Sequence, residues 1–187
     1  MKTYIKEILD QREHLDDDNH AMFSEAICEK VKAFDEYKQA KTLLIFYPYN
    51  GEVNIIPLVQ NAIAEGKNVY FPKVLGSTNM DFFKVSDMTE FTNGYKGIKE
   101  PIGKIIFDKN CIDDKTVMIL PGSVFDLSKN RCGYGKGYYD RYLSDCYEKI
   151  VKIGVCFSLQ MLDSLPTEDI KVTDIRMDYV VNENEVI

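Results

Sequence analysis

Three glycines alternate in the segment Arg131-Cys-Gly-Tyr-Gly-Lys-Gly-Tyr-Tyr-Asp140, at Gly133, Gly135 and Gly137. They follow a buried-strand pattern and stand at the opening of a helical one. Glycine there permits positive φ and leaves backbone N–H groups free to converge on an anion. The physical reading is a phosphate cradle flanked by the cationic side chains of Arg131 and Lys136. It is neither G-x-x-x-x-G-K-[ST] nor G-x-G-x-x-G, because Tyr138 stands where the last glycine of the latter would fall. The glycines alone are equally consistent with a flexible turn. Arg131, Lys136 and Asp140 within ten residues favour the cradle.

Asp140 follows Lys136 by four residues, so on a helix the two share a face. One reading is a surface ion pair worth a few tenths of a kcal/mol. The other has Lys136 bridging phosphate oxygens while Asp140 holds Mg²⁺, a hard cation that takes one or two carboxylates plus substrate phosphates. Tyr138, Tyr139 and Tyr142 either pack half-buried at the helix start or offer flat faces to a heteroaromatic ligand.

The elements around this segment alternate. Residues 2–14 place Ile5, Ile8, Leu9 and Leu15 at helical spacing, and Asp16-Asp17-Asp18 can cap a second helix carrying Met22, Phe23, Ile27, Val31 and Phe34. Thr42 to Tyr47 reads as a buried strand ended by Pro48. A helix with Pro57 in its first turn follows, closed by Gly66, and then a strand from Asn68 to Phe71 stopped by Pro72. Residues 76–111 break into short pieces, with a strand at Met80 to Val85, loops and a hairpin beside the main sheet. Thr116 to Leu120 is again a buried strand. Beyond the glycine loop come a helix at Gly137 to Asp145, a strand at Ile150 to Phe157 and a last strand at Val172 to Val181. Strand–helix–strand order calls for parallel pairing with right-handed crossovers. The predicted fold is α/β: a single-domain three-layer sandwich over residues 1–187, with helices on both faces of a mostly parallel, Rossmann-like sheet.

The 187 residues include 45% hydrophobic and 28% charged side chains, the balance of one ordinary soluble domain. A net charge of −7 opposes non-specific attraction to nucleic acid or anionic lipid, though one concavity can still concentrate positive potential. The charged N-terminal segment lacks the apolar region of a signal peptide, and no stretch reaches the ~20 apolar residues of a membrane span, which points to the cytoplasm. Cys28, Cys111, Cys132, Cys146 and Cys156 are odd in number and widely spread, so neither a disulfide framework nor a zinc site is expected. His14 and His20 alone leave little material for a catalytic triad.

The run Pro121-Gly122, Phe125-Asp126, Arg131, Gly133 to Arg141 and Leu143 closely resembles the signature of the 5-formyltetrahydrofolate cyclo-ligase family. Lys2 and Arg12, Tyr47-Pro48, Glu52-Val53, Gly66-Lys67, Pro72, Gly97-Ile98, Glu100-Pro101 and Asp174 agree in order, so the similarity spans essentially the whole chain. The resemblance implies that ATP is a co-substrate and that Lys2, Lys6, Arg131, Cys132, Gly133, Tyr134, Gly135, Lys136, Gly137, Tyr138 and Tyr139 bind it. It implies Asp140 and Asp174 as Mg²⁺ ligands, and Tyr47, Glu52 and the Tyr134-Gly135-Lys136-Gly137-Tyr138 stretch as contacts to a reduced folate. Lys136 and Arg131 would act on the transferring group. The implied partners are small molecules, in a monomeric protein that binds neither nucleic acid nor membrane.

Without the resemblance, Lys2 reads as a solvated terminus, Arg12 as a helix-surface charge, Glu52 as a complement to a helix dipole and Asp126 as a turn residue. The chain departs from the family pattern in three places. Tyr4-Ile5 replaces a Leu-Arg pair, with Lys6 able to supply the basic contact. Lys129 replaces a turn glycine beside Asn130, which can adopt a left-handed conformation. Thr173 replaces a histidine. A different ATP-dependent small-molecule kinase and a non-catalytic folate-binding module are the competing readings. Lys136→Ala is expected to lower turnover by orders of magnitude and Asp140→Asn to weaken Mg²⁺-ATP use, both with little loss of folding stability.

Overall fold

A computed structural model describes residues 2–94, 97–171 and 174–187. Its centre is a six-stranded sheet built from β1 (Thr42–Leu44), β2 (Asn68–Leu75), β3 (Asn79–Val85), β6 (Thr116–Leu120), β9 (Val151–Val155) and β11 (Tyr179–Val181). The order is β11-β9-β6-β1-β2-β3, and every pairing is parallel except that of β2 with β3. The α/β sheet read from the sequence is therefore present.

Alternation along the strands sorts the core into two layers. Leu43, Val117, Ile119 and Ile153 point to one face, where they meet Ile27, Cys28 and Val31 of α2 (Asp17–Ala33) and Leu58, Val59 and Ala62 of α4 (Ile56–Ala64). Leu44, Met118, Leu120 and Val180 point to the other, against Tyr142 and Leu143 of α5 (Tyr138–Leu143). A strand repeats every two residues, so neighbours in one strand necessarily serve opposite layers. Asp16 caps α2 by accepting from the Asn19 backbone N–H at 2.9 Å. The helix α1 (Thr3–Glu13) buries Ile5, Leu9 and Arg12, one stripe at helical spacing. Ile5 and Leu9 join Val124 and Leu165 in a third small cluster. α3 (Asp35–Gln39) links α2 to β1. No helix among the described residues is long and apolar enough to cross a membrane.

Several boundaries differ from the sequence reading, each for a local reason. β1 stops at Leu44 rather than Tyr47, although Ile45 N–H still donates to Tyr70 O at 2.9 Å. β2 runs through Pro72 to Leu75, because Pro72 lies beyond the residues paired to β1 and its missing N–H removes no bond on that side. The last strand begins at Tyr179. Ahead of it, Ile175 N–H and Met177 N–H donate to Asp140 Oδ1 (3.4 Å) and Lys129 O (3.0 Å) rather than to a ladder. Val172 and Thr173 lie outside the described residues. A two-stranded hairpin, β4 (Phe91–Asn93) and β5 (Lys99–Pro101), stands beside the main sheet.

Both outer strands are covered by the chain itself. Along β3, Lys84 N–H donates to Ile105 O and Phe107 N–H to Phe82 O, both at 2.8 Å. Along β11, Val180 and Ile187 exchange backbone bonds of 3.0 and 2.9 Å, and Val181 bridges Val186.

An unforeseen three-stranded sheet, β10-β7-β8, is made from β7 (Val124–Asp126), β8 (Arg131–Cys132) and β10 (Met161–Leu162). The turn between β7 and β8 is held by Asp126, which accepts from Asn130 N–H (2.9 Å), Asn130 Nδ2 (2.8 Å) and Leu165 N–H (2.9 Å). Burial opposes ionisation of that carboxyl, but the hydrogen bonds, led by Asn130, win and hold it below its ordinary value. The turn-forming reading of Asp126 fits this geometry. The left-handed residue is Lys129 itself, at φ 64°, not Asn130. A Cβ in that conformation costs about 1 kcal/mol. Lys129→Gly should therefore raise stability by roughly 0.5–1 kcal/mol in urea titration, and Lys129→Ala should not.

Candidate functional site

In the sheet order β6-β1-β2, the chain leaves β1 toward one side and β6 toward the other. The crevice beyond the carboxyl ends of these strands is where open α/β sheets bind ligands. The loop after β1 carries Glu52. Pro121-Gly122 after β6 leads into β7 and β8, which deliver Arg131 and then residues 133–137. Gln160 fastens the first turn, its Nε2 donating to Gly122 O (2.9 Å) and Ser123 O (3.0 Å).

Gly135 (φ 80°) and Gly137 (φ 62°) are left-handed, and Gly137 is the N-cap of α5. Residues other than glycine are strained there. The backbone N–H groups of Gly133, Tyr134, Gly135, Lys136 and Gly137 donate to no acceptor among the described residues. Five consecutive amides thus remain available in a loop that is not closed by its own hydrogen bonds. Two cavities meet here, an open cleft of about 1360 Å³ and a recess of about 140 Å³. They share Gly135, Lys136, Gly137, Asp140, Lys171 and Asp174.

Lys136 is exposed, and its ammonium has no partner among the described residues. It precedes the N-cap, so it does not share a helical face with Asp140 as the i, i+4 spacing predicts. Asp140 instead takes the Arg131 guanidinium, with Nη2 at 3.0 and 3.1 Å from the two carboxylate oxygens. Arg131 is buried, reaches Pro121 O at 3.4 Å through Nη1, and lies 5.5 Å from the centroid of the Tyr139 ring. Asp174 accepts from Lys171 N–H at 2.9 Å and lines both cavities with Asp140. Among the described residues no three His, Cys, Asp or Glu side chains cluster as a metal cage.

The second group is joined to the first by Tyr134. Its hydroxyl donates to Glu52 Oε1 at 2.9 Å and accepts from Arg12 Nη2 at 2.8 Å. Arg12 also donates to Asn50 O from Nε (3.2 Å) and Nη2 (2.7 Å), and Tyr49 N–H donates to Glu52 Oε2 at 3.1 Å. Arg12 is 1% exposed, so it is a buried link and not a helix-surface charge. Burial pushes the Glu52 carboxyl up to about 7, against the opposing pull of Arg12 and Tyr134.

That shift has a defined sign. Between pH 4.5 and about 7 the unfolded chain has released the Glu52 proton while the folded chain keeps it, so stability falls as pH rises. Relative to Glu52→Gln, the wild type should lose on the order of 3 kcal/mol across that window and no more above it, measured by urea unfolding at successive pH values.

Other expected contacts sit further out. Lys2 pairs with Asp169 (2.8 Å) and Glu168 (3.2 Å), at the rim of the recess that Asp169 lines. Lys6 is exposed while Ile5 is buried, so the basic residue of this helix segment is Lys6. Cys132 is half-buried in the recess, its thiol pushed up by burial. Tyr47 packs against Phe91 (5.0 Å between centroids) and Phe71 (6.3 Å), outside both cavity linings. Tyr138 and Tyr139 line the recess, whereas Tyr142 is buried against Phe82. Two contributors were not anticipated. Lys171 lines both cavities, and Arg141 donates to the Lys136 carbonyl. Neither has a spacing that marks it out.

The family model for 5-formyltetrahydrofolate cyclo-ligases matches residues 2–183. The chain belongs to that family. A probable 5-formyltetrahydrofolate cyclo-ligase of Schizosaccharomyces pombe is 33% identical over 178 residues, covering 87% of this chain and 84% of the relative. A second, from Caenorhabditis elegans, is 33% identical over 174 residues, covering 88% and 83%. Among solved structures, the NMR structure of Aquifex aeolicus 5,10-methenyltetrahydrofolate synthetase superposes with a TM-score of 0.82 at 30% identity, over 98% of this chain and 89% of that one. The Mycoplasma pneumoniae 5,10-methenyltetrahydrofolate synthetase gives 0.76 at 26% identity, over 97% of each. These solved synthetases thus share the fold along nearly its full length.

Proposed function

We propose that this chain converts 5-formyltetrahydrofolate to 5,10-methenyltetrahydrofolate, coupled to cleavage of ATP to ADP and phosphate. One observation carries the reading. The loop whose amides from Gly133 to Gly137 lack acceptors among the described residues also bonds Tyr134 to Glu52, so an anion subsite and a buried carboxyl are joined through one loop, although Glu52 lines neither cavity. The activity for which the relatives are named supports it.

The chemistry suits these parts. An N5-formyl group is an amide, so nitrogen donation leaves its carbon a poor electrophile and its oxygen a poor leaving group. Transfer of the γ-phosphoryl group of ATP to the formyl oxygen corrects both. N10 then attacks the formyl carbon, the carbon–oxygen bond breaks, phosphate departs with that oxygen, and N10 releases its proton as the ring closes. The loop amides and Lys136 take up charge on the transferring group, with Arg131 holding Asp140 in place. Glu52 and Tyr134 hold the folate so that the formyl oxygen lies in line with phosphorus, which supplies the proximity contribution. Asp140 and Asp174, two hard carboxylates lining one cleft, would hold Mg²⁺. Bound there, Mg²⁺ supplies charge neutralisation on the phosphate oxygens.

Incubation with 5-formyltetrahydrofolate, ATP and Mg²⁺ should produce the near-ultraviolet methenyl chromophore with one ADP per product, and nothing without ATP. A stable phosphorylated product and no chromophore would identify a small-molecule kinase instead. Folate binding without ATP turnover would identify a non-catalytic module.

A further inference from the structure

Arg141 is exposed, lies one residue beyond Asp140, and has no part in the chemistry above. Yet its guanidinium ties three pieces of the site together. Nε and Nη2 donate to Thr78 O at 3.0 and 2.8 Å, in the turn between β2 and β3. Nη2 also donates to Lys136 O at 2.7 Å. The guanidinium lies 5.4 Å from the centroid of the Tyr138 ring, and the Tyr138 hydroxyl donates to Ser77 O at 3.2 Å in the same turn. A Cβ on Gly137 would come within 3.0 Å of Arg141 Nη1, so the loop and this side chain are fitted to one another.

The contact to Lys136 O has a geometric consequence. The peptide joining Lys136 to Gly137 is planar and trans, so its C=O and N–H point in opposite directions. Holding the carbonyl against Arg141 therefore aims the Gly137 N–H away from it, and that N–H is one of the five without an acceptor among the described residues. We propose that Arg141 is a positioning residue that presets the Gly137 amide for the phosphates of the nucleotide, by pinning the Lys136 carbonyl and anchoring it to the β2–β3 turn. Removing it lets the 136–137 peptide rotate, and ordering that peptide on binding then weakens the complex. The inference rests on the nucleotide-binding part of the proposed function.

Its test is direct binding of ADP to the full chain by titration calorimetry, with thermal unfolding and steady-state kinetics alongside. Arg141→Ala should raise the ADP Kd and the KM for ATP about tenfold, leave the KM for 5-formyltetrahydrofolate within about twofold, and shift Tm by less than about 2 °C. Arg141→Lys, which can reach one carbonyl but not both in a planar fork, should recover part of the nucleotide affinity. An unchanged ADP Kd in Arg141→Ala would overturn the proposal. So would a Tm drop above about 5 °C together with weakened folate use, since that pattern marks a general structural role. A wild type that binds ADP without forming methenyl product would refute the proposed reaction while leaving the Arg141 result intact.

Discussion

Asp140→Asn is expected to lower stability by about 3 kcal/mol as well as to weaken Mg²⁺-ATP use. The carboxylate is the counter-charge of a guanidinium whose side chain is only 4% exposed, and breaking a buried pair by removing one partner typically costs about 3–5 kcal/mol. This replaces the expectation that folding would be spared. In a chain of this length such a loss lowers Tm by roughly 6–12 °C. The two effects separate in a double variant. Arg131→Met with Asp140→Leu removes both charges, so much of the stability should return while turnover stays low. Thermal unfolding of the two variants and the wild type, set against their KM for ATP, distinguishes the two effects. A single variant as stable as the wild type would show that Arg131 finds another partner.

Lys136→Ala should behave in the opposite way. Its ammonium is exposed and unpaired among the described residues, so its removal leaves no orphaned charge and Tm should stay within about 2 °C. Turnover should fall by on the order of 10³, the scale for losing a preorganised cation or hydrogen-bond donor at a transferring phosphoryl group. Lys136→Arg should retain part of the rate. Normal kcat in Lys136→Ala would remove this residue from the reaction and leave the amides as the sole phosphate contacts.

The parts of this molecule that could be read directly from residues are those governed by short-range rules. Apolar runs such as Thr116 to Leu120 became strands, Asp16 capped a helix, and glycines 135 and 137 took the positive φ that their spacing suggested. What escaped depends on contacts distant in sequence. Arg12 looks like any charged residue on an amphipathic helix, and only the approach of the Asn50 loop and Tyr134 turns it into a buried link. β7, β8 and β10 are two or three residues long, too short for periodicity to register, yet they aim Arg131 at Asp140. The segment ahead of β11 was extended into a strand by its composition. The structure diverts it because its amides answer Asp140 and Lys129.

The self-covered margins of the main sheet bear on how the molecule behaves in a crowded cell. An uncovered outer strand offers a row of unpaired donors and acceptors on which another copy can polymerise. Here residues 105–107 and 186–187 take up those positions along β3 and β11, so intermolecular strand addition would first have to peel away a native segment. That kinetic barrier opposes fibril formation while the native segments stay in place.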